Sequence, residues 1–196
     1  MLGYIRFLEG KAVIVWREKR KVIQQYDASS EMYEGLYGEE QQAKYSKALE
    51  NINLNGRMVL DVGCGSGLFF EKVAGKAEMV VGIDVSLRLL LKAKEQTKIY
   101  GNTHVLLADA DHLPFKKGSF DLVFSFTVLQ NMPKPKETLL EIKRVVRVEG
   151  RVVVSGLRKA FGLSAFLDLF ETAGLRVVGF VDDDHLKCYI AIAALS

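Results

Sequence analysis

Cysteine is scarce in this chain: there are two in 196 residues, Cys64 and Cys188, set far apart. That spacing supplies neither a disulfide framework nor a pair of zinc ligands, and a reducing, cytoplasmic setting is the default expectation. Histidine is equally sparse; His104, His112 and His185 show no ligand spacing, so no metal is expected. No apolar run approaches the roughly 20 residues of a helical membrane span, and no membrane association is expected. Arg6, Glu9 and Lys11 interrupt the first apolar residues and spoil a signal peptide. Charge of one sign is also in short supply: 27 Lys and Arg against 24 Asp and Glu leave +3, too little by itself to argue for nucleic acid. Repeats and low-complexity tracts are absent. What remains is an ordinary globular composition, 49% hydrophobic and 26% charged, long enough for one α/β domain with an appendage.

The stretch that organises the rest is Val59-Leu60-Asp61-Val62-Gly63-Cys64-Gly65-Ser66-Gly67-Leu68. An apolar run reaches an acid, glycines follow at every second position, and a helical pattern begins with Leu68, Phe69 and Val73. This reads as a buried strand, a tight turn and a helix start. A side chain in the turn would hold a ligand away from the backbone, and the turn itself requires positive φ. The helix start presents free amide hydrogens, which suits a polar or anionic group of a nucleotide-like cofactor. The spacing excludes two common tenants. Glycines at 63, 65 and 67 are one residue too short for the dinucleotide fingerprint, and the Gly-Lys-Ser/Thr of a P-loop is missing.

Upstream, Lys11–Trp16 reads as a short strand and the charge run Arg17–Lys21 as the start of a helix with a solvated face. Residues 26–54 read as two helices separated at Gly35 and Gly38, the second amphipathic through Tyr45, Ala48, Leu49 and Ile52. Residues 1–54 are taken as an N-terminal extension and 55–196 as the core. Asn55-Gly56 opens that core, after which strands and helices alternate as in a parallel doubly wound sheet. The strands are Met58–Val62, Met79–Asp84, His104–Ala108, Phe120–Ser125 and Arg151–Gly156. Helices cover Leu68–Val73, the run through Leu87, Leu90, Leu91 and Ala93 with Ser86 as N-cap, and Lys136–Val146. A further helix, Leu163–Ala173, ends at Gly174. The last strands, Leu175–Val181 and Lys187–Ala194, are joined by a short acidic turn and must pair antiparallel.

Ligands of open α/β sheets sit at the carboxyl ends of the strands, and three strands here end in an acid. Asp84, after the second, is placed to accept both hydroxyls of a ribose. Asp109, after the third, lies further along the same edge, where an adenine amino group would donate to it. Asp61 lies below the glycine loop, where it orients the loop amides or meets an ammonium. A helix cap or turn acid explains any one of them; three at successive strand ends, beside a glycine loop, imply a ligand.

The Asp61–Gly67 segment resembles motif I of the class I S-adenosylmethionine-dependent methyltransferases, an acid followed by three alternating glycines. Asp109-Ala110-Asp111-His112-Leu113-Pro114-Phe115 resembles the D-A-x-x-L-P-F segment common in that superfamily. Tyr26–Tyr33 is similar to the Y-D-x-x-A-x-x-Y-D element of its ubiquinone-biosynthesis-type members, with Ser30 at the alanine position and Glu34 for the last acid. The resemblance implies a Rossmann-like, doubly wound, seven-stranded α/β sheet of order 3-2-1-4-5-7-6, with a C-terminal antiparallel hairpin and an N-terminal helical lid. It implies S-adenosylmethionine as cofactor, held by Gly63, Cys64, Gly65 and Gly67 of the loop and by Asp61, Asp84, Val85, Asp109 and Ala110 at the strand ends. Ser125 and Phe126 complete the set after the fourth strand, and Tyr26 and Tyr37 of the lid offer hydroxyls to the methionine carboxylate.

The acceptor is less legible. Substrate-facing residues are expected in Phe126–Pro133, where Gln130 and Asn131 are the catalytic candidates, able to hydrogen-bond but not to act as bases at neutral pH. The Asn-Pro-Pro-Tyr/Phe motif of amino-group methyltransferases is missing. Lys134, Lys136, Arg158 and Lys159 form a basic rim, joined by Arg17–Lys21, that fits RNA or a translation-associated protein. The quinone-type resemblance points instead to a small metabolite, and the missing base leaves open a non-catalytic, cofactor-binding regulatory subunit. The third strand is expected at a sheet edge, where an activator subunit would add a strand.

Overall fold

The central strands are apolar on both sides. Val59, Leu60, Val62, Val123, Phe124, Val152, Val153 and Val154 expose no surface, which is what helices on both faces of a parallel sheet produce. The computed structural model describes residues 16–28, 31 and 33–196; the side chains of Tyr33, Glu34, Leu36 and Tyr37 lie outside that description. Its strands are β1 (Met58–Val62), β2 (Met79–Asp84), β3 (Thr103–Leu107), β4 (Phe120–Ser125), β5 (Val146–Leu157), β6 (Leu175–Val181) and β7 (Cys188–Leu195). They form one sheet of order β3-β2-β1-β4-β5-β7-β6. Strands β1 to β5 run parallel, and β7 is antiparallel to both β5 and β6. This is the doubly wound sheet with a closing hairpin that the sequence implies.

The helices are α1 (residues 16–28), α2 (Tyr33–Leu49), α3 (Phe70–Val73), α4 (Leu87–Thr97), α5 (Pro135–Val145) and α6 (Leu163–Thr172), with a 3-10 turn at Leu129–Asn131 after β4. Ser86 caps α4 as expected, its hydroxyl accepting from Leu89 N at 3.2 Å. On one face α2, α3 and α4 cover Val59, Val80 and Phe124; on the other, α5 and α6 bury Phe166 and Phe170 against Val152 and Val154.

Two expectations need correction, and a third is mostly untested. Helix α2 runs unbroken through Gly35 and Gly38. Glycine in a helix interior costs about 1 kcal/mol, and the aromatic packing of α2 outweighs it: the Tyr45 ring lies 4.9 Å from Phe69 and 5.0 Å from Phe126. Strand β5 begins at Val146 instead of Arg151, because Gly150 lets it run on into the chain that leaves α5. A Cβ on Gly150 would stand 2.7 Å from Asp121 O, and the β4–β5 register shifts there, between Phe120 and Leu122. The strand read at Lys11–Trp16 lies outside the described residues except for Trp16, which opens α1.

Candidate functional site

Strands β1 and β2 finish side by side, Val62 opposite Ile83, so the loop after β1 lies across the end of β2. Gly63 and Cys64 both donate their amides to Ile83 O, at 2.8 and 2.9 Å. Such a turn needs left-handed backbone, and φ is +77° at Gly63, +57° at Gly65 and +84° at Gly67. Space is as restrictive as conformation: a Cβ on Gly63 would fall 2.3 Å from Val128 Cγ2. Gly65 N donates to Asp84 Oδ2 at 2.9 Å, and Asp84 Oδ1 accepts from Ser86 N at 2.8 Å. Each carboxylate oxygen keeps a lone pair, enough for the two hydroxyls of a ribose. Burial pushes the Asp84 carboxyl above the ordinary carboxylate range, and the amides of Ser86, Gly65 and Val85 pull it back.

A groove crosses these strand ends. Tyr26, Gly63, Gly65, Asp84, Val85, Asp109, Ala110 and Phe126 line it together, as does Asn131. Gln130 is turned away, its side-chain amide donating to Thr127 O at 2.5 Å. Behind the groove wall lie Cys64, Gly67, Ser125 and Asp61. Cys64 faces the sheet, where a Cβ on Gly82 would be 2.8 Å from its Sγ, and Gly67 packs on Phe70. Ser125 Oγ is buried with no partner among the described residues. Asp61 is 2% exposed and accepts no hydrogen bond from a described residue; burial, and then Asp84, push its carboxyl up to about 8. The side chain of Tyr37 falls outside the described residues. A half-satisfied Asp84 and an orphaned Asp61, flanked by the apolar Val85, Ala108 and Ala110, fit a nucleoside that also carries an ammonium.

In the Arg17–Lys21 run Arg17, Glu18, Arg20 and Lys21 are exposed, as a solvated face requires, and Lys19 is the exception. It is 5% exposed, with Nζ 2.7 Å from Asp109 Oδ1 and 2.6 Å from Asp111 Oδ2. The signal for this was present, since Lys19, Val22 and Tyr26 fall on one helical stripe, and all three line the groove. Tyr26 OH accepts from Asn131 Nδ2 at 2.9 Å, and Ser86 Oγ donates to Asp27. These contacts clamp α1 over the groove and leave about 80 Å³. Ligand clefts measure roughly 300–1,000 Å³, so the groove with α1 in this position is smaller than a nucleoside requires.

Thr127, after β4, has φ +63°, a costly conformation for a β-branched residue. Its surroundings hold it there. The amide donates to Ser155 Oγ at 2.9 Å, the carbonyl accepts from Asn131 at 3.0 Å, and Oγ1 accepts from Lys44 Nζ at 2.9 Å. Thr127 lines both the groove and a second cavity of about 510 Å³, whose walls include Lys44, Arg158 and Lys159. Lys44 was not singled out from the sequence, although Gln41, Lys44, Tyr45 and Ala48 make one buried stripe of α2. Among the described residues there is no cluster of side chains able to hold a metal, and no helix long and apolar enough to cross a membrane.

Comparison with known proteins agrees with this geometry. Residues 60–154 match a family described as a methyltransferase domain. The malonyl-[acyl-carrier protein] O-methyltransferase of Marinomonas sp. is 33% identical over 144 residues, 71% of this chain and 52% of that protein. A tRNA U34 carboxymethyltransferase of Photorhabdus laumondii is 34% identical over 119 residues, 58% of this chain and 36% of its own length. The chain thus spans about half the length, or less, of these curated relatives. In fold it is similar to the methyltransferase seen in complex with the Haloferax volcanii Trm112 methyltransferase activator (TM-score 0.75, 18% identity, 87% of this chain and 96% of that one). The magnesium protoporphyrin IX methyltransferase of Synechocystis, solved with S-adenosylmethionine, superimposes equally well (TM-score 0.75, 19% identity, 91% and 97%). With the sheet order, the glycine loop and the matched domain in agreement, the chain belongs to the class I S-adenosylmethionine-dependent methyltransferase superfamily.

Proposed function

We propose that this chain transfers the methyl group of S-adenosylmethionine to a small acceptor that enters beside Thr127. The observation that carries the reading is the shared wall: one residue separates the acid-ended groove from the second cavity, as direct displacement between neighbouring ligands requires. In this reading α1 and α2 form a lid, with α1 over the cofactor and α2 over the acceptor. A cavity of about 510 Å³ suits a small molecule or the end of a carrier-bound chain. Two of the four rim cations support this over RNA, since Lys134 is paired with Glu137 at 2.8 Å and Arg158 with Asp182 at 2.6 Å. The test is incubation of the full chain with methyl-tritiated cofactor and separate RNA, protein and small-molecule fractions. Label is expected in the small-molecule fraction. Label confined to RNA or protein would replace the acceptor, and none in any fraction would favour a regulatory subunit.

A partner is proposed on a separate observation. Strand β3 is a sheet edge whose Leu106 and Leu107 are 43% and 54% exposed, beside exposed Leu87 and Leu91 of α4. Such an edge accepts an added strand, and the Haloferax neighbour is known with an activator. Leu106→Lys with Leu107→Lys is expected to spare S-adenosylhomocysteine binding and to abolish capture of a copurifying activator by the tagged chain. Undiminished capture would count against this surface.

A further inference from the structure

We propose that Lys44 anchors a carboxylate of the acceptor, which makes the second cavity a site for small carboxylic acids methylated on oxygen; this rests on the methyl-transfer reading above. Lys44 is 1% exposed, yet it forms part of the cavity wall. Its Nζ donates to Thr127 Oγ1 at 2.9 Å and to Gln41 Oε1 at 3.1 Å. Both are neutral acceptors, and an ammonium has a third hydrogen to give. Among the described residues no carboxylate stands within ion-pair distance of it; Glu40, its neighbour on α2, is engaged by Lys187 at 2.9 Å. A buried cation with no counter-anion is costly. Burial accordingly holds the Lys44 amine below its ordinary range. Of the other cations lining the cavity, Lys159 and Lys187 are exposed, and Arg158 is already committed to Asp182 and lies 4.5 Å over the Tyr189 ring. A carboxylate arriving in this cavity therefore meets one buried ammonium with bonding capacity to spare, one residue from the groove.

The chemistry agrees with the lack of a base beside Thr127 in the groove; of the cavity's own carboxylates, Glu40 is held by Lys187 and Asp184 is exposed. A hydroxyl or amine acceptor must lose a proton on methylation, and the groove residues next to Thr127, namely Phe126, Val128, Asn131 and Met132, offer nothing to take it. A carboxylate has no proton to lose. One of its oxygens forms the bond to the methyl carbon as the methyl–sulfur bond breaks, and the electron pair of that bond stays on sulfur. Anion and sulfonium become a neutral ester and a neutral thioether, while Lys44 holds the second oxygen.

Calorimetry on the full chain saturated with S-adenosylhomocysteine tests the assignment, with benzoate and its neutral analogue benzamide as probes. Binding of the homocysteine product is read first; its failure removes the transfer reading itself, whereas its success isolates the role of Lys44. Benzoate is then expected to bind at least about tenfold more tightly than benzamide, the scale of a charge-assisted hydrogen bond. Lys44→Met is expected to erase that preference and Lys44→Arg to keep it, the second variant guarding against a folding defect in the first. Turnover of methyl-tritiated cofactor with benzoate is expected to yield label that alkali releases as methanol, the mark of an ester. Equal affinity for the two probes, an undiminished preference in Lys44→Met, or alkali-stable label would overturn the proposal.

Discussion

The groove under α1 and the cavity under α2 meet at Thr127, yet they are made of different material. The groove is backbone work. Two amides share the carbonyl of Ile83, a third reaches Asp84, and three glycines hold φ values that other residues rarely adopt. The cavity is assembled from side chains of α2, the loop after β4, the end of β5 and the turn before β7. Backbone geometry tolerates little substitution and suits a ligand common to many proteins. Side chains set on a scaffold can change one at a time, and suit a ligand particular to one protein.

That contrast can be broken first at Gly63. Gly63→Ala sets a Cβ 2.3 Å from Val128 in a left-handed residue, and is expected to cost about 1–3 kcal/mol of stability and to abolish cofactor binding. Urea unfolding and calorimetry read the two effects, and wild-type values for both would show that the loop is not tight. Next in size is Lys19→Met, which strands Asp109 and Asp111 without their cation. Amide hydrogen exchange in residues 16–28 is expected to rise at least about tenfold while β1 and β4 stay protected. Unchanged exchange in α1 would mean that Lys19 is no latch.

A smaller effect concerns pH. The Asp61 carboxyl titrates near 8 in the fold and near 4 in an unfolded chain. The fold therefore holds the extra proton between those values, and stability declines as pH rises through that window. Asp61→Asn is neutral throughout and is expected to flatten the decline, judged from urea midpoints at about pH 5 and about pH 8. Parallel declines in both proteins would place the cost elsewhere. The smallest effect is Gly38→Ala in α2, where nothing lies within 4 Å of the added methyl. A gain of about 0.5–1 kcal/mol is expected there, against the loss at Gly63; a loss of similar size in α2 would erase the contrast.

What was legible in the sequence follows the same division. Asp61, Asp84 and the glycines could be placed because a hydrophobic run announces where a buried strand ends, and the ligand edge of a parallel sheet lies at those ends. The hairpin followed from a link too short for any crossover. Lys19 and Lys44 were harder because composition registers a lysine as surface, whereas burial depends on which helical stripe it occupies and on what that stripe meets across the fold. Thr127 fell within the expected substrate-facing stretch Phe126–Pro133, but its conformation could not be read: a threonine carries no mark of positive φ, and the hydrogen bonds that impose it come from Ser155 and Lys44, distant in sequence. The early start of β5 was hidden for a related reason, since Gly150 reads as a turn until Asp121 is seen against it.

The most direct test of the account is calorimetric titration of the full chain with S-adenosylmethionine beside Asp84→Asn. Saturable binding at one site is predicted, weakened about tenfold to a hundredfold when the carboxylate between Gly65 and Ser86 loses its charge. No heat of binding at millimolar cofactor, or equal affinity in the variant, would contradict it.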